Sequence, residues 1–338
     1  MPKLKQMYNL AAMDRFCDSA AFQERNGIQV PMHIKVGDSV SAGVVLARNL
    51  TQVDPTIFEK KYPELAFMNS GINVDNTGGY ARRIQSLRLV DQGGFRTAGD
   101  AAADKGKISL RGEDSTLAVL AREAFSTWQD DEIKEAELQG VNLPQRYVAT
   151  HNRLYQREMD QIGLVGLAGE GIPTGLGNYT GFATSSASGA VETLTAAQMY
   201  DEIATLITDQ RSAVNNTPEY MATRVLMPVR VQNKLMATIL NTANGSMSVY
   251  RALEQNFPDV QFAATFRFDT TANGGDLATS ATVAYNPNAE AMKMRVPVPL
   301  TIGEIIKVRS FDFQVDSKYR IAGLDVLEDT AGAILTGL

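Results

Sequence analysis

The chain has 338 residues, with 32 Lys and Arg against 38 Asp and Glu for a net charge of −6; 44 % of residues are hydrophobic and only 7 % aromatic. This length allows one large domain or two to three smaller ones with a sizeable core. The low aromatic content argues against an aromatic-lined ligand cavity, and the acidic balance against a nucleic-acid reader with a basic footprint. No apolar run approaches the ~18 residues of a membrane span. Asp14 interrupts the amphipathic start, so it lacks a secretory core. Cys17 is the only cysteine, which leaves no internal disulfide and makes cytoplasmic synthesis the simplest reading.

Residues 1–80 are punctuated by Pro31, Pro55 and Pro63 and by Gly27, Gly37, Gly43 and Gly71. They read as an arm suited to lie on neighbouring subunits, or as a small N-terminal domain. Residues 84–120 read as two strands with a polar tip. Leu87 and Leu89 alternate on one arm, and Ile108, Leu110, Leu117 and Val119 on the other. The tip, DQGGFRTAGDAAADKGK, has nothing to bury and projects.

A helix is predicted to open at Thr127, with Asp130, Asp131 and Glu132 in its first turn, and to stop at Gly140. Asn142-Leu143-Pro144 starts a second helix whose apolar stripe is Val148, Tyr155, Met159 and Ile162. The glycine-rich segment 166–181 is a joint. Thr195 and Gln198 then cap a helix with the stripe Met199, Ile203, Leu206, Ile207 and Val214. A buried strand at 223–227, a helix opened by Pro228 (Val231, Leu235, Ile239), a third helix after Ser246 or Ser248, and a strand at 260–268 follow. Thr270–Ser280 reads as an exposed loop, and 195–300 together as a small α/β domain. Strands at 292–298, 305–308, 311–315, 319–327 and 331–335 close the chain.

Catalytic constellations are missing from the pattern. His33 and His151 have no partner at metal-ligand spacing. The glycine run follows a helix and lacks Lys-Ser/Thr, so it does not meet the context of a phosphate loop. The acids at 130–132 are explained by the helix dipole. Cys17 beside Asp18 is a poor nucleophile. Glu290-Ala-Met-Lys-Met294 matches the biotin-attachment sequence of carrier domains, which would make Lys293 the modified residue. The Gly-Asp turn that resembles a biotinyl hairpin, at 36–40, lies far from it in sequence.

The order of elements, from about residue 50 to the end, resembles tailed-bacteriophage major capsid proteins with the Hong Kong 97-like fold, an α+β architecture. The stretch AFSTWQDDEIKEAELQGVNLPQRYVATHNRLYQREMDQIGLVG and the close YRIAGLDVLEDTAGAILTGL carry the resemblance most clearly. It implies an N-terminal arm (1–80), an extended loop with flanking strands (81–126), a spine helix and joint (127–189), an axial domain (190–298) and return strands of the peripheral domain (299–338). It also implies a structural, non-enzymatic protein without cofactors or metals that self-assembles into an icosahedral head shell around double-stranded DNA. An encapsulin-type compartment is the alternative, and a biotinyl or lipoyl carrier using Lys293 a remote one. Gly93, Gly94, Phe95, Arg96, Lys105 and Lys107 are then candidate subunit contacts, and Lys105 and Lys107 candidate crosslinking residues. The partners implied are other copies in pentamers and hexamers, scaffold, portal and decoration proteins, and packaged DNA held without sequence-specific contacts, with no membrane. The location implied is the virion, after synthesis in the host cytoplasm.

Overall fold

A computed structural model describes residues 65–95, 107–138, 140–242 and 245–338. Most of the expected arm at 1–80, with Cys17 and His33, lies outside the described residues. After strand β1 (Asn73–Asp75) comes a long antiparallel hairpin, β2 (Arg83–Gly93) with β3 (Ile108–Ala118), then β4 (Leu120–Gln129). Helix α1 (Asp130–Leu138) and the 22-residue helix α2 (Leu143–Leu164) follow. Their ends obey local chemistry. Acids fill the first turn of α1, where the dipole favours them, and Gly140 takes φ +73° between the helices. Asn142 caps α2 by accepting the Gln145 N–H, with Pro144 in the first turn, where its missing N–H goes unnoticed.

Thr127 does not open the helix. Residues 120–129 pair in register with strand β14 (Asp312–Ile321), from Leu120↔Ile321 to Gln129↔Asp312. Two-residue alternation buries Trp128, which stacks on Tyr147 of α2 with ring centroids 5.0 Å apart. Burying that indole keeps the backbone extended to Gln129, and the helix begins only where the acids begin.

Strand β5 (Ala183–Ser186) leads to α3 (Ala196–Ala213), whose N-terminus is the expected Thr195–Gln198 capping box. Met199, Ile203, Leu206, Ile207 and Val214 are all buried. Next come β6 (Arg224–Pro228), α4 (Val229–Ala237), the hairpin β7 (Ile239–Thr242) and β8 (Gly245–Ser248), and α5 (Val249–Asn256), capped by Ser248. Ile239 does not extend the stripe of α4. The chain turns extended at Thr238, and Ile239 lies exposed in β7. Strands β9 (Gln261–Thr265) and β10 (Ala281–Tyr285) follow; β10 is buried along its whole length and was not anticipated from the sequence.

Strand β11 (Met292–Arg295) lies between β1 and β15 (Gly323–Val326). Strand β14 has β4 on one edge, and β12 (Val298–Ile302) and β13 (Ile306–Lys307) on the other. It is one continuous strand where two separate ones were expected. Gly323, at φ +91°, turns the chain into β15, and β16 (Gly332–Thr336) closes the fold.

The largest sheet runs β5-β16-β10-β6-β9. Alternation along its buried strands gives it two apolar faces. Val225, Met227, Ala284, Ala333 and Leu335 meet α3, α4 and α5. Leu226, Val283, Tyr285 and Ile334 meet Phe67, Phe182 and the C-terminal end of α2, including Met159, Ile162 and Leu164. Strands from distant parts of the chain interleave in these sheets. β16, from the return segment, sits between β5 and β10, whereas β11 leaves that sheet to pair with β1 and β15.

Candidate assembly surface

The hairpin β2–β3 is the most unusual part of the surface. Its strands have 11 residues each and pair from Arg83↔Ala118 to Gly93↔Ile108, a length of about 35 Å. Because successive side chains point to opposite faces, Leu87, Leu89, Leu110 and Ile108 share one face. Each is 60–68 % exposed. The opposite face carries Ser86 and Arg88, which hold the hairpin to the body. At the tip, Gly93 takes φ +118°, and a Cβ there would meet the Lys107 carbonyl oxygen at 2.1 Å, so only glycine fits. Phe95 is 94 % exposed. Of the predicted contact residues, Gly93, Gly94, Phe95 and Lys107 lie together at this tip; Arg96 and Lys105 lie outside the described residues.

The base of the hairpin is fastened by charge. Ser86 Oγ lies 2.7 Å from Asp325 Oδ2 and accepts from Arg295 Nη2 at 2.9 Å. Arg295 also donates through Nε to Asp325 (2.9 Å) and through Nη1 to Asp75. Arg88 donates to the Leu327 carbonyl (3.2 Å) and pairs with Glu328 (2.5 Å). These groups lie on β1, β2, β11, β15 and the segment after β15, so one polar hub sets the angle of the hairpin. Sequence reading missed it. Its signal was two cations in the short strand MKMR and a lone Asp embedded in the otherwise apolar strand GLDV.

The hub has a pH signature. Hydrogen bonds from Thr77, its hydroxyl first, hold the Asp75 carboxyl below the ordinary 3.8 against burial, and the charges of Arg295 and Lys293 add to the effect. A depressed folded-state value means that this stabilisation is complete above pH 3.8. It is lost as pH falls through the depressed value. Asp75→Asn should flatten that acid limb in a series of urea unfolding midpoints against pH.

Lys293 sits in β11, paired on both sides (Asn73↔Lys293↔Asp325), with Nζ 3.9 Å from Asp75. A central strand residue is not the exposed turn lysine that a carrier domain presents. His151 is buried between α2 and the β4–β14 pair. Ser317 Oγ donates to the Ala124 carbonyl (3.2 Å) and so accepts from His151 Nδ1–H (2.8 Å). Nε2 then accepts from Ser126 Oγ (2.9 Å). Both ring nitrogens are used in joining helix to sheet. The described residues contain no group of three or more His, Cys, Asp or Glu able to hold a metal, and no helix long and apolar enough to cross a membrane.

Comparison with known proteins gives a consistent result. A family model described as major capsid protein matches residues 96–337. The capsid of Myoviridae phage XM1 is 43 % identical with a TM-score of 0.77, covering 86 % of this chain and 98 % of that one. The capsid of a native GTA particle has a TM-score of 0.61 at 12 % identity, covering 87 % and 98 % of the two chains. Microbacterium phage Oxtober96 likewise gives 0.61 at 12 %, covering 88 % and 99 %. The latter two show likeness of fold. No curated protein matches.

Proposed function

The chain belongs to the major capsid protein family and has the Hong Kong 97-like fold, and from that premise we propose that the exposed face of β2–β3 is the surface by which each copy overlaps its neighbour. The protein's role is structural: it forms the head shell of a phage, and copies of it associate with one another in the virion. One observation carries the overlap reading. A two-stranded hairpin alone in water is marginally stable, yet this one projects with four large aliphatic side chains in solvent. Burying each against another copy contributes about 1–2 kcal/mol, and repetition around a closed ring multiplies the gain.

In this reading Gly93, Gly94, Phe95, Arg96, Lys105 and Lys107 are contacts with the neighbour, with residues 1–80 as a second contacting segment. Residues 127–189 and 299–338 form the peripheral domain and 190–298 the axial domain. The copies group as pentamers and hexamers in an icosahedral shell. Scaffold, portal and decoration proteins assist, and the double-stranded DNA inside is held without sequence-specific contacts. The chain is made in the host cytoplasm and does no chemistry.

The test is the fourfold variant Leu87→Ser, Leu89→Ser, Ile108→Ser and Leu110→Ser. All four side chains already face solvent, so the monomer should keep its circular dichroism and unfolding midpoint. Negative-stain microscopy should show that closed particles are lost. Normal particles from the folded variant would remove the hairpin face from the assembly contacts.

A further inference from the structure

The five-stranded sheet β5-β16-β10-β6-β9 has two open edges, and they differ in shape. At one edge, β5 pairs with β16 alone. The Ala187 N–H reaches the Thr336 carbonyl, so Ser185 and Ala183 also face β16, and the backbone groups of Thr184 and Ser186 point outward. All four side chains of β5 (Ala-Thr-Ser-Ser) are short and exposed. At the other edge, β9 pairs with β6 alone. The Gln261 N–H reaches the Thr223 carbonyl, which leaves the backbone groups of Phe262 and Ala264 pointing outward. This second edge lies in a slot. A cavity of about 380 Å³ is lined by Ala263 and Ala264 of β9, by Val229 and Gln232 of α4, and by Ala66 and Asn69. Helix α4 covers one face of the sheet and the segment of Phe67 the other, so the slot opens along the edge.

Proteins blunt open edges with charge, proline or a cover. This fold does so elsewhere. Asp75 and Asp325 stand in the edge strands β1 and β15, Arg122 and Glu123 in β4, Pro299 in β12 and Lys307 in β13. Neither β5 nor β9 holds a charge or a proline. We propose that β5 of one copy enters the slot beside β9 of the next and extends its sheet, so that one sheet passes from copy to copy around a ring; this rests on the pentamer and hexamer grouping above. Strand direction fits. Within the sheet β5, β16, β6 and β9 run one way and β10 the other. The modest rotation between neighbours in a ring therefore brings β5 and β9 together parallel, as a head-to-tail contact that closes. Two like edges would instead meet antiparallel about a twofold axis. The chemistry fits as well. Each edge offers donors and acceptors at alternate residues, which an added strand satisfies. The short side chains of β5 suit a slot floored by two alanines.

The test places cysteines at Thr184 and Ala263, which are exposed and lie on the same face of the sheet by register, with Cys17, the only native cysteine, changed to serine. Assembled T184C/A263C/C17S is treated with a short bis-maleimide and run on a denaturing gel. A ladder of covalent oligomers ending at the ring size is expected, and each single-cysteine chain should stay monomeric. Adding Ser186→Pro removes one outward N–H, which an edge strand tolerates. It should abolish most of the ladder while the circular dichroism of the dispersed chain is unchanged. Particles of the double-cysteine chain that yield monomer alone would overturn the proposal. So would dimers from either single-cysteine chain, which would show like edges meeting, or a ladder untouched by Ser186→Pro, which would show proximity without strand pairing. A parent that forms neither rings nor particles by negative stain would remove this proposal and the ring grouping together. A ladder from a chain whose fourfold hairpin variant still closes normal particles would count against the overlap reading alone.

Discussion

Replacing Arg267 by alanine is expected to destabilise the folded chain by about 3–5 kcal/mol. Arg267 and Asp160 are among the most buried charged residues described, with side chains 3 % and 0 % exposed. The guanidinium donates through Nε to Asp160, through Nη1 to Asp276 (2.5 Å) and through Nη2 to the Arg157 carbonyl (3.1 Å). Asp160 also accepts the Phe67 N–H at 2.8 Å. The Arg267–Asp160 pair thus joins α2, the segment after β9 and the segment before β1. Truncation removes the cation and leaves a carboxylate buried without it, which is the expensive half of breaking such a pair. The double variant Arg267→Met with Asp160→Leu removes both charges, and should recover most of the loss. Urea unfolding of the dispersed chains measures both. A single variant within 1 kcal/mol of the parent, about the size of an ordinary surface effect, would show that the pair does not hold these elements together.

Gly163→Ala should also destabilise, against the rule of helix propensity. In an open helix this change gains about 1 kcal/mol. Here a Cβ at 163 would lie 2.3 Å from ring carbons of Phe67, which is 2 % exposed and packed into the core. Neither the ring nor the helix has room to move, so overpacking outweighs propensity and the net cost is about 1–3 kcal/mol. Phe67→Leu in the same chain opens space, and the double variant should be less destabilised than the sum of the two single changes. Thermal unfolding of the four proteins checks the coupling. A stabilising Gly163→Ala would mean that Phe67 does not press on the helix.

Much of the fold was legible because local and tertiary signals agreed. The Thr195–Gln198 box, the Asn142 cap and the stripe of α3 need only neighbours in sequence, and all were read from it. The paired arms of the hairpin were legible from alternation, and their two faces follow from register. The failures came where tertiary burial decided the matter. Thr127 sits at a plausible helix start, but Trp128 must reach Tyr147, so the strand persists. Ile239 continues a spacing of four beyond the point where the backbone has turned. Ala281–Tyr285, five buried residues of which only Tyr285 is large, follows a long loop and gives no alternation, because both of its faces are covered. At the site, the alternation of Leu87 and Leu89 and of Ile108 and Leu110 was visible, but that they share one exposed face follows only from the register. The hub of Ser86, Arg295, Asp325 and Asp75 was not, since its members are up to 250 residues apart in sequence.

The most direct test of the central claim is negative-stain microscopy of the full chain expressed alone, with light scattering on the same sample. Closed shells, tubes, or rings of five or six subunits are the predicted result. A monodisperse monomer or dimer, even at high concentration and with a scaffold partner supplied, would contradict it.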